Sequence, residues 1–185
     1  MTPSQAWEIM EHHLYFTANA FDFEILGFVL MSNHYHMLML APNANLSEGM
    51  AWFGRETSRE FVPLSGRINM TYGGRFFRSN IQSHHHFLNC YKYLHRNPVE
   101  AGLVERVEDY RWSTLRGVLG LERLLIPVGE DATLFSDVEG TLRWLNTKPS
   151  AEHWEAIGKA LKHPIFKLAK DKKTKRSHAL EQELL

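Results

Sequence analysis

Two mainly apolar runs near the start of the chain limit its fold more than any other feature. Residues 23–31 and 34–40 flank the two-residue sequence Ser32-Asn33, and this arrangement predicts a β-hairpin. Because side chains alternate between the two faces of a strand, His34 and His36 are expected to point to the same side. Two imidazoles fixed on one strand would form half of a metal site.

The second run is apolar on both faces apart from its histidines, which is typical of a central strand. A helix is predicted before the hairpin, with Thr2 as its N-cap, Pro3 as its first residue and an end near Ala20. The elements predicted after the hairpin are a helix over 46–62, a strand over 75–83, a helix over 84–101, and helices beginning near residues 137 and 150. Helices combined with antiparallel strands indicate an α+β fold.

Composition is that of a globular protein without a membrane span. Of the 185 residues, 44% are hydrophobic and 23% are charged, as is usual for one folded domain with some chain left over. The apolar runs are only long enough for strands, and the N-terminus lacks the pattern of a signal peptide. The single cysteine, Cys90, cannot form an internal disulfide. These features predict a cytoplasmic protein in which Cys90 is a small buried residue.

Charge occurs in blocks although the net charge is zero. Residues 1–54 contain five acids and no lysine or arginine, whereas residues 159–185 contain eight bases and three acids. Residues 67–99 contain no acid and five bases, which are Arg67, Arg75, Arg78, Lys92 and Arg96. Such a block favours an anionic partner, and the charges are equally compatible with solvated faces balanced by acidic neighbours.

Tyr93 and Asn97 are four residues apart in a predicted helix and therefore share a face. If that face meets the side of the hairpin that bears His34 and His36, the two imidazoles and the Asn97 oxygen would bind a divalent cation. Two nitrogen ligands, one oxygen ligand and open positions favour Mg²⁺ or Mn²⁺ over a structural zinc ion. The cation would polarise a phosphodiester, and Tyr93 would attack it.

Each of these residues also has an ordinary structural explanation. Among eleven histidines roughly one His-x-His pair is expected by chance, and His84 and His86 form another such pair. Tyr93 would then be an aromatic residue packed on the sheet, and Asn97 a residue near a helix end before Pro98. An unrelated metal-dependent hydrolase of small molecules that uses the hairpin histidines is a further alternative.

Four segments of the chain resemble motifs of the HUH single-tyrosine transposases. Residues 29–38, VLMSNHYHML, resemble V-L-M-P-N-H-x-H-L-L, and residues 93–104, YLHRNPVEAGLV, resemble Y-I-H-x-N-P-V-x-A-G-L-V. Residues 109–114 are similar to D-Y-x-W-S-S, and residues 74–79 to G-R-F-K-S. The segments follow the order and spacing of the family between about residues 5 and 120. Within the family, the REP-associated tyrosine transposases are the most similar branch.

The resemblance implies a ferredoxin-like antiparallel sheet with helices on one face over residues 1–120, followed by a helical extension with a basic tail over 121–185. It implies that Mg²⁺ or Mn²⁺ is bound by His34, His36 and Asn97. It also implies that Tyr93 is the nucleophile. The implied activity is cleavage and joining of hairpin-forming single-stranded DNA through a 5′-phosphotyrosine. A monomer or homodimer would perform it in the bacterial cytoplasm, at the nucleoid.

One departure from the family concerns the first strand. Family members usually begin with a strand before the first helix, whereas this chain begins at the helix. We therefore expect a sheet that is one strand short, with an exposed edge. This departure favours an alternative function, in which a truncated or inactive relative binds hairpin DNA without cleaving it.

The basic block supplies the expected DNA contacts. Its five bases would contact phosphates without reading sequence. The aromatic residues Tyr72, Phe76 and Phe77 would stack on bases, or else pack in the core. The lysine-rich tail over 167–176 would clamp DNA or remain solvated.

Overall fold

The computed structural model describes residues 1–65, 72, 76–170 and 175–185. The chain forms two units, each built from two segments: Met1–Phe76 with Tyr110–Asp131, and Phe77–Asp109 with Ala132–Leu185. Residue 120 lies inside the first unit, and the predicted division into a core over 1–120 and an extension over 121–185 stays a prediction. Within the described ranges, every helix is too short or too polar to cross a membrane.

The first unit contains the predicted hairpin. Strand β1 (Glu24–Leu30) pairs in antiparallel fashion with strand β2 (Tyr35–Leu40). The backbone N–H of Met31 donates a hydrogen bond to the carbonyl of His34 at 2.8 Å, which closes the turn at the predicted position. The local sequence signals for the hairpin are therefore confirmed.

The edge of β1 that faces away from β2 is bordered by residues 110–114. The N–H of Leu30 donates to the carbonyl of Trp112 at 2.9 Å, and the N–H of Phe28 donates to Thr114 Oγ1 at 2.9 Å. Tyr110 Oη donates to the carbonyl of Leu30 at 2.7 Å. The segment similar to the family motif D-Y-x-W-S-S thus satisfies backbone groups that a third strand would otherwise pair.

Strand β2 pairs with β1 alone among the described residues. The prediction of a central strand is therefore wrong, whereas the expected exposed edge is present in this part of the chain. Tyr35, Met37 and Met39 pack against the hydrophobic core, and by alternation His36 and Leu38 belong to the opposite face. The face that bears Tyr35, Met37 and Met39 is apolar because it packs on the core.

Helices α1 (Pro3–Phe21) and α2 (Leu46–Ser65) pack on the hairpin. The predicted capping of α1 is confirmed, since Thr2 Oγ1 accepts the N–H of Gln5 at 3.3 Å and Gln5 Oε1 accepts the N–H of Thr2 at 2.8 Å. The core of this unit is apolar and is formed by Ile9, Met10, Leu14, Ala18, Ile25, Phe28, Met50, Phe53, Phe61 and Ile126. A short helix, α4 (Thr114–Val118), follows the segment that borders β1.

The second unit is helical. Its principal helix is α3 (His84–Glu100), which is capped by Ser83 and ends at Ala101 before Gly102, whose φ of 70° suits a glycine. The shorter helices are α5 (Ala132–Ser136), α6 (Val138–Asn146) and α7 (Ala151–Ala160). Antiparallel strands in one unit and packed helices in both confirm the α+β class.

The strand predicted over 75–83 is not formed in its described part, 76–83. Only Asn80 makes a bridge there, to Ile165, and the remaining residues up to the cap of α3 are irregular. Alternating side chains make a strand only where a partner strand is present, and no partner extends beyond this single bridge among the described residues.

Candidate functional site

The two hairpin histidines lie side by side, as predicted from strand alternation. Their Nε2 atoms are 3.1 Å apart, and the ring centroids are separated by 4.8 Å with an interplanar angle of 89°. Two nitrogen ligands at right angles, each about 2.1 Å from a metal ion, would be about 3.0 Å apart. The pair therefore has the spacing of two neighbouring ligands of one ion.

The environment of the pair favours the neutral imidazole that binds metals. His34 Nδ1 lies 2.6 Å from Asn33 Oδ1, and because a carbonyl oxygen can only accept, Nδ1 carries the proton and Nε2 has a free lone pair. Burial lowers the pKa of His34. Burial, reinforced by the neighbouring charge of His34, lowers the pKa of His36 to about 4. At neutral pH both rings are accordingly uncharged.

No group of three or more histidine, cysteine, aspartate or glutamate side chains that could hold a metal occurs within the described ranges. An amide oxygen is another type of ligand that could bind the same ion as the two imidazoles. Asn97 has the required atom: its Nδ2 donates to the carbonyl of Tyr93 at 2.6 Å, which directs Oδ1 away from that bond. Asn97 belongs to the second unit and the histidines to the first, and their convergence stays a prediction.

Tyr93 is half-buried in the middle of α3. Its ring stacks on the indole of Trp154 in α7, with centroids 4.3 Å apart and planes inclined by 27°. Burial, and to a smaller extent the nearby Cys90, raises the pKa of the Tyr93 phenol. The tyrosine is therefore held as a phenol, and a nucleophilic role would require an additional positive charge near its oxygen.

Two of the predicted phosphate contacts are buried within the second unit. Arg96 is 4% exposed; its Nε donates to Glu100 at 2.7 Å and its Nη1 to the carbonyl of Leu145 at 3.1 Å. Lys92 is 2% exposed, and its ammonium lies 5.4 Å from the centre of the Trp144 ring. The prediction that these two bases contact DNA is corrected, because their charged groups are committed to internal interactions.

The remaining predicted contacts differ in exposure. Arg78 is exposed, whereas Arg67 and Arg75 lie outside the described residues. Of the aromatic candidates, Tyr72 and Phe76 pack against the core of the first unit, and Phe77 is 64% exposed. Arg78 and Phe77 are therefore the described members of the predicted set that are open to a ligand.

Sequence reasoning missed three residues at these positions. The sequence places Asn33 only in the turn, and its amide oxygen also accepts a hydrogen bond from the ring of His34. Trp154 of α7 stacks on Tyr93, and Gly158 of the same helix leaves space beside its hydroxyl group; no local pattern connects that helix to α3. Their role depends on tertiary packing that only the structure reveals.

The comparisons with known proteins agree with the resemblance found in the motifs. No protein-family model matches the chain. The REP-associated tyrosine transposase of Escherichia coli (strain K12) is 25% identical over 130 residues, which cover 70% of this chain and 77% of that protein. The solved structure of a REP-associated tyrosine transposase bound to a REP hairpin matches with a TM-score of 0.52 and the same identity and coverage. The resemblance to this branch of transposases is thereby confirmed.

Proposed function

We propose that the chain is a metal-dependent single-stranded DNA endonuclease and strand transferase that acts on hairpin-forming DNA. The observation that carries the proposal is the pair of neutral imidazoles with Nε2 atoms 3.1 Å apart in a chain similar to a tyrosine transposase. The similar structure is bound to a REP hairpin, which supports a hairpin as the DNA partner here. The proposed site of action is the bacterial cytoplasm, at the nucleoid, and the active form is a monomer or a homodimer.

Tyr93 performs the chemical step in this proposal. Its phenolic oxygen forms a bond to the phosphorus of a phosphodiester while the bond from phosphorus to the 3′-oxygen breaks. The proton lost by the phenol is balanced by one gained by the departing oxygen, so that the products are a 5′-phosphotyrosine and a 3′-hydroxyl. Because the phosphodiester energy is kept in the covalent bond, the reverse attack by a 3′-hydroxyl rejoins DNA without ATP.

His34, His36 and Asn97 Oδ1 would hold Mg²⁺ or Mn²⁺ in this proposal. The bound ion would polarise the scissile phosphate and offset the charge that develops on it. Asn33 keeps the His34 Nε2 lone pair available through its hydrogen bond to Nδ1. The exposed Arg78 would contact a phosphate, and Phe77 would stack on a base, as is common in proteins that bind single strands.

A covalent adduct tests the proposal. The protein is incubated with hairpin-forming single-stranded DNA from the flanks of its own gene, with Mn²⁺, and resolved on a denaturing gel. We expect a protein–DNA adduct that is lost in Tyr93→Phe and without metal. Tyr91→Phe is the matched control, because Tyr91 is only two residues away on α3 but is 1% exposed, and this variant should keep the adduct.

Two results would contradict the proposed cleavage. Hairpin binding without any adduct would indicate the inactive relative that binds DNA without cutting it. Activity on DNA or small phosphodiesters that persists in Tyr93→Phe would indicate a hydrolase that uses the histidines without a tyrosine nucleophile.

A further inference from the structure

Helix α7 forms a notch around Tyr93. The indole of Trp154 stacks on the phenol ring at 4.3 Å between centroids. One turn further along the helix, Gly158 lies beside the hydroxyl group, such that a Cβ at this position would be 3.2 Å from Tyr93 Oη. Residues four apart share a face of a helix, so that a single face of α7 meets both the ring and its oxygen.

The missing side chain at residue 158 provides the room for the hydroxyl. A Cβ would also lie 3.8 Å from Cζ and 3.9 Å from Cε2 of Tyr93, and the contact of 3.2 Å to Oη is tight enough to displace the oxygen by a few tenths of an ångström. Glycine is unfavourable inside a helix. Its place in α7 is explained by the close approach of Tyr93.

Both sides of the notch are fixed by their own packing. Ser150 Oγ accepts the N–H of His153 at 3.1 Å and caps α7, while Ile157 and Ala160 anchor the helix in the second unit with exposures of 0% and 2%. Tyr93 itself lies in the interior of α3. A notch between two packed helices can hold a side chain in one position, which a mobile loop could not do.

We propose that Trp154 and Gly158 are positioning residues for Tyr93. Trp154 holds the ring, and Gly158 leaves the space in which the hydroxyl is presented to the phosphorus of single-stranded DNA. This inference rests on the proposed function. Because productive attack requires the reacting atoms to approach within about 3–3.5 Å in the correct direction, a displacement of a few tenths of an ångström slows the chemical step and leaves DNA binding unchanged.

Gly158→Ala tests the space beside the hydroxyl. We expect the rate of adduct formation at saturating DNA to fall about tenfold, with an unchanged Kd for the hairpin. Gly54→Ala in α2 is the matched control, because a Cβ there meets nothing within 4 Å, and it should form adduct at the wild-type rate. Weaker DNA binding together with a slower rate would overturn the proposal, because it would indicate a structural defect without a positioning role.

Trp154→Ala tests the stacking contact, and Trp154→Phe tests its rescue. Removing the indole should slow adduct formation, and phenylalanine should restore most of the rate because it keeps an aromatic face against the phenol. Faster adduct formation in Trp154→Ala or Gly158→Ala would overturn the proposal, since α7 would then be a cover over the tyrosine. Unchanged rates in both variants would overturn it as well.

A measurement independent of activity separates this inference from the proposed function. The chain contains six tyrosines, and in protein labelled with 3-fluorotyrosine the ¹⁹F resonance of Tyr93 is the one absent from Tyr93→Phe. We expect this resonance to shift in Gly158→Ala and to remain in place in Gly54→Ala. If the resonance does not shift in Gly158→Ala, the inference about the notch is wrong. If the resonance shifts but the protein forms no adduct with DNA, only the proposed cleavage is wrong.

Discussion

At the scale of single residues, Asn33 determines which nitrogen of His34 would bind the metal ion of the proposed site. Its side-chain oxygen accepts the Nδ1 proton at 2.6 Å, and this hydrogen bond fixes both the tautomer and the ring orientation. The Nε2 atom of His36 lies 3.1 Å from that of His34, so both rings present this nitrogen to the same point. Removing the Asn33 amide should therefore weaken metal binding without removing a ligand.

We expect Asn33→Ala to lower the affinity for Mn²⁺ about tenfold, as is typical of a residue that orients a metal-binding histidine. His36→Ala should abolish the binding. The free Mn²⁺ in a titration is measured by electron paramagnetic resonance. Asn19→Ala, at an exposed position of α1, is the control and should bind as the wild type does; an affinity of Asn33→Ala equal to that of this control would exclude the orienting role.

At the scale of elements, one hydroxyl group binds two backbone groups at the edge of β1. Thr114 is 1% exposed, and its Oγ1 accepts the N–H of Phe28 at 2.9 Å and donates to the carbonyl of the same residue at 3.3 Å. A side chain thus replaces part of a neighbouring strand. Its loss would leave two buried backbone groups of β1 without this partner.

We expect Thr114→Val to reduce the free energy of unfolding by about 1–3 kcal/mol, the usual cost of leaving buried polar groups unpaired. Valine keeps the shape of the side chain and removes only the hydroxyl, so that packing changes little. The midpoint of urea denaturation measures the effect. Thr147→Val removes an exposed hydroxyl that donates to the carbonyl of Arg143 at 2.9 Å, and should cost about 0.5 kcal/mol or less; equal losses in both variants would contradict the assigned role of Thr114.

The elements that were predicted correctly are those with local signals. The capping sequence around Thr2 and Pro3 and the turn at Ser32-Asn33 describe nearest neighbours along the chain, and both are present. The strand over 75–83 was predicted from alternation alone, and its described part is irregular because pairing depends on a distant segment. The alternation of side chains along β2 also does not show whether one or both of its edges pair with another strand.

At the scale of the whole molecule, a buried histidine makes stability depend on pH. His95 is 3% exposed, neither ring nitrogen has a hydrogen-bond partner among the described residues, and burial lowers its pKa to about 3. An unfolded histidine titrates near 6.5. The unfolded state therefore takes up a proton that the folded state excludes, and stability falls as pH decreases from 6.5 towards 3.

Between pH 7 and pH 5 this residue should reduce the free energy of unfolding by roughly 2 kcal/mol. In His95→Leu, which cannot take up this proton, the decrease over the same range should be smaller by that amount. Urea denaturation at the two pH values measures it. His163→Leu, at an exposed position, should keep the wild-type decrease, and a His95→Leu protein that does so too would contradict the assignment.

The candidate site was predictable where it depends on strand geometry and unpredictable where it depends on packing. The shared side of His34 and His36 follows from alternation within one strand. The burial of Lys92 and Arg96 does not follow from counting charges, because long basic side chains extend along a core and find internal partners. The contact between Tyr93 and Trp154 joins helices that are far apart in sequence.

The contacts of Tyr110, Trp112 and Thr114 with β1 bear on how such sequences are classified. A motif that completes a sheet serves folding, whether or not the chain that carries it reacts with DNA. The presence of this motif in a sequence therefore indicates the fold and does not indicate activity. In a chain that has this motif without the tyrosine or the histidines, the motif would therefore indicate the fold and give no information about DNA cleavage.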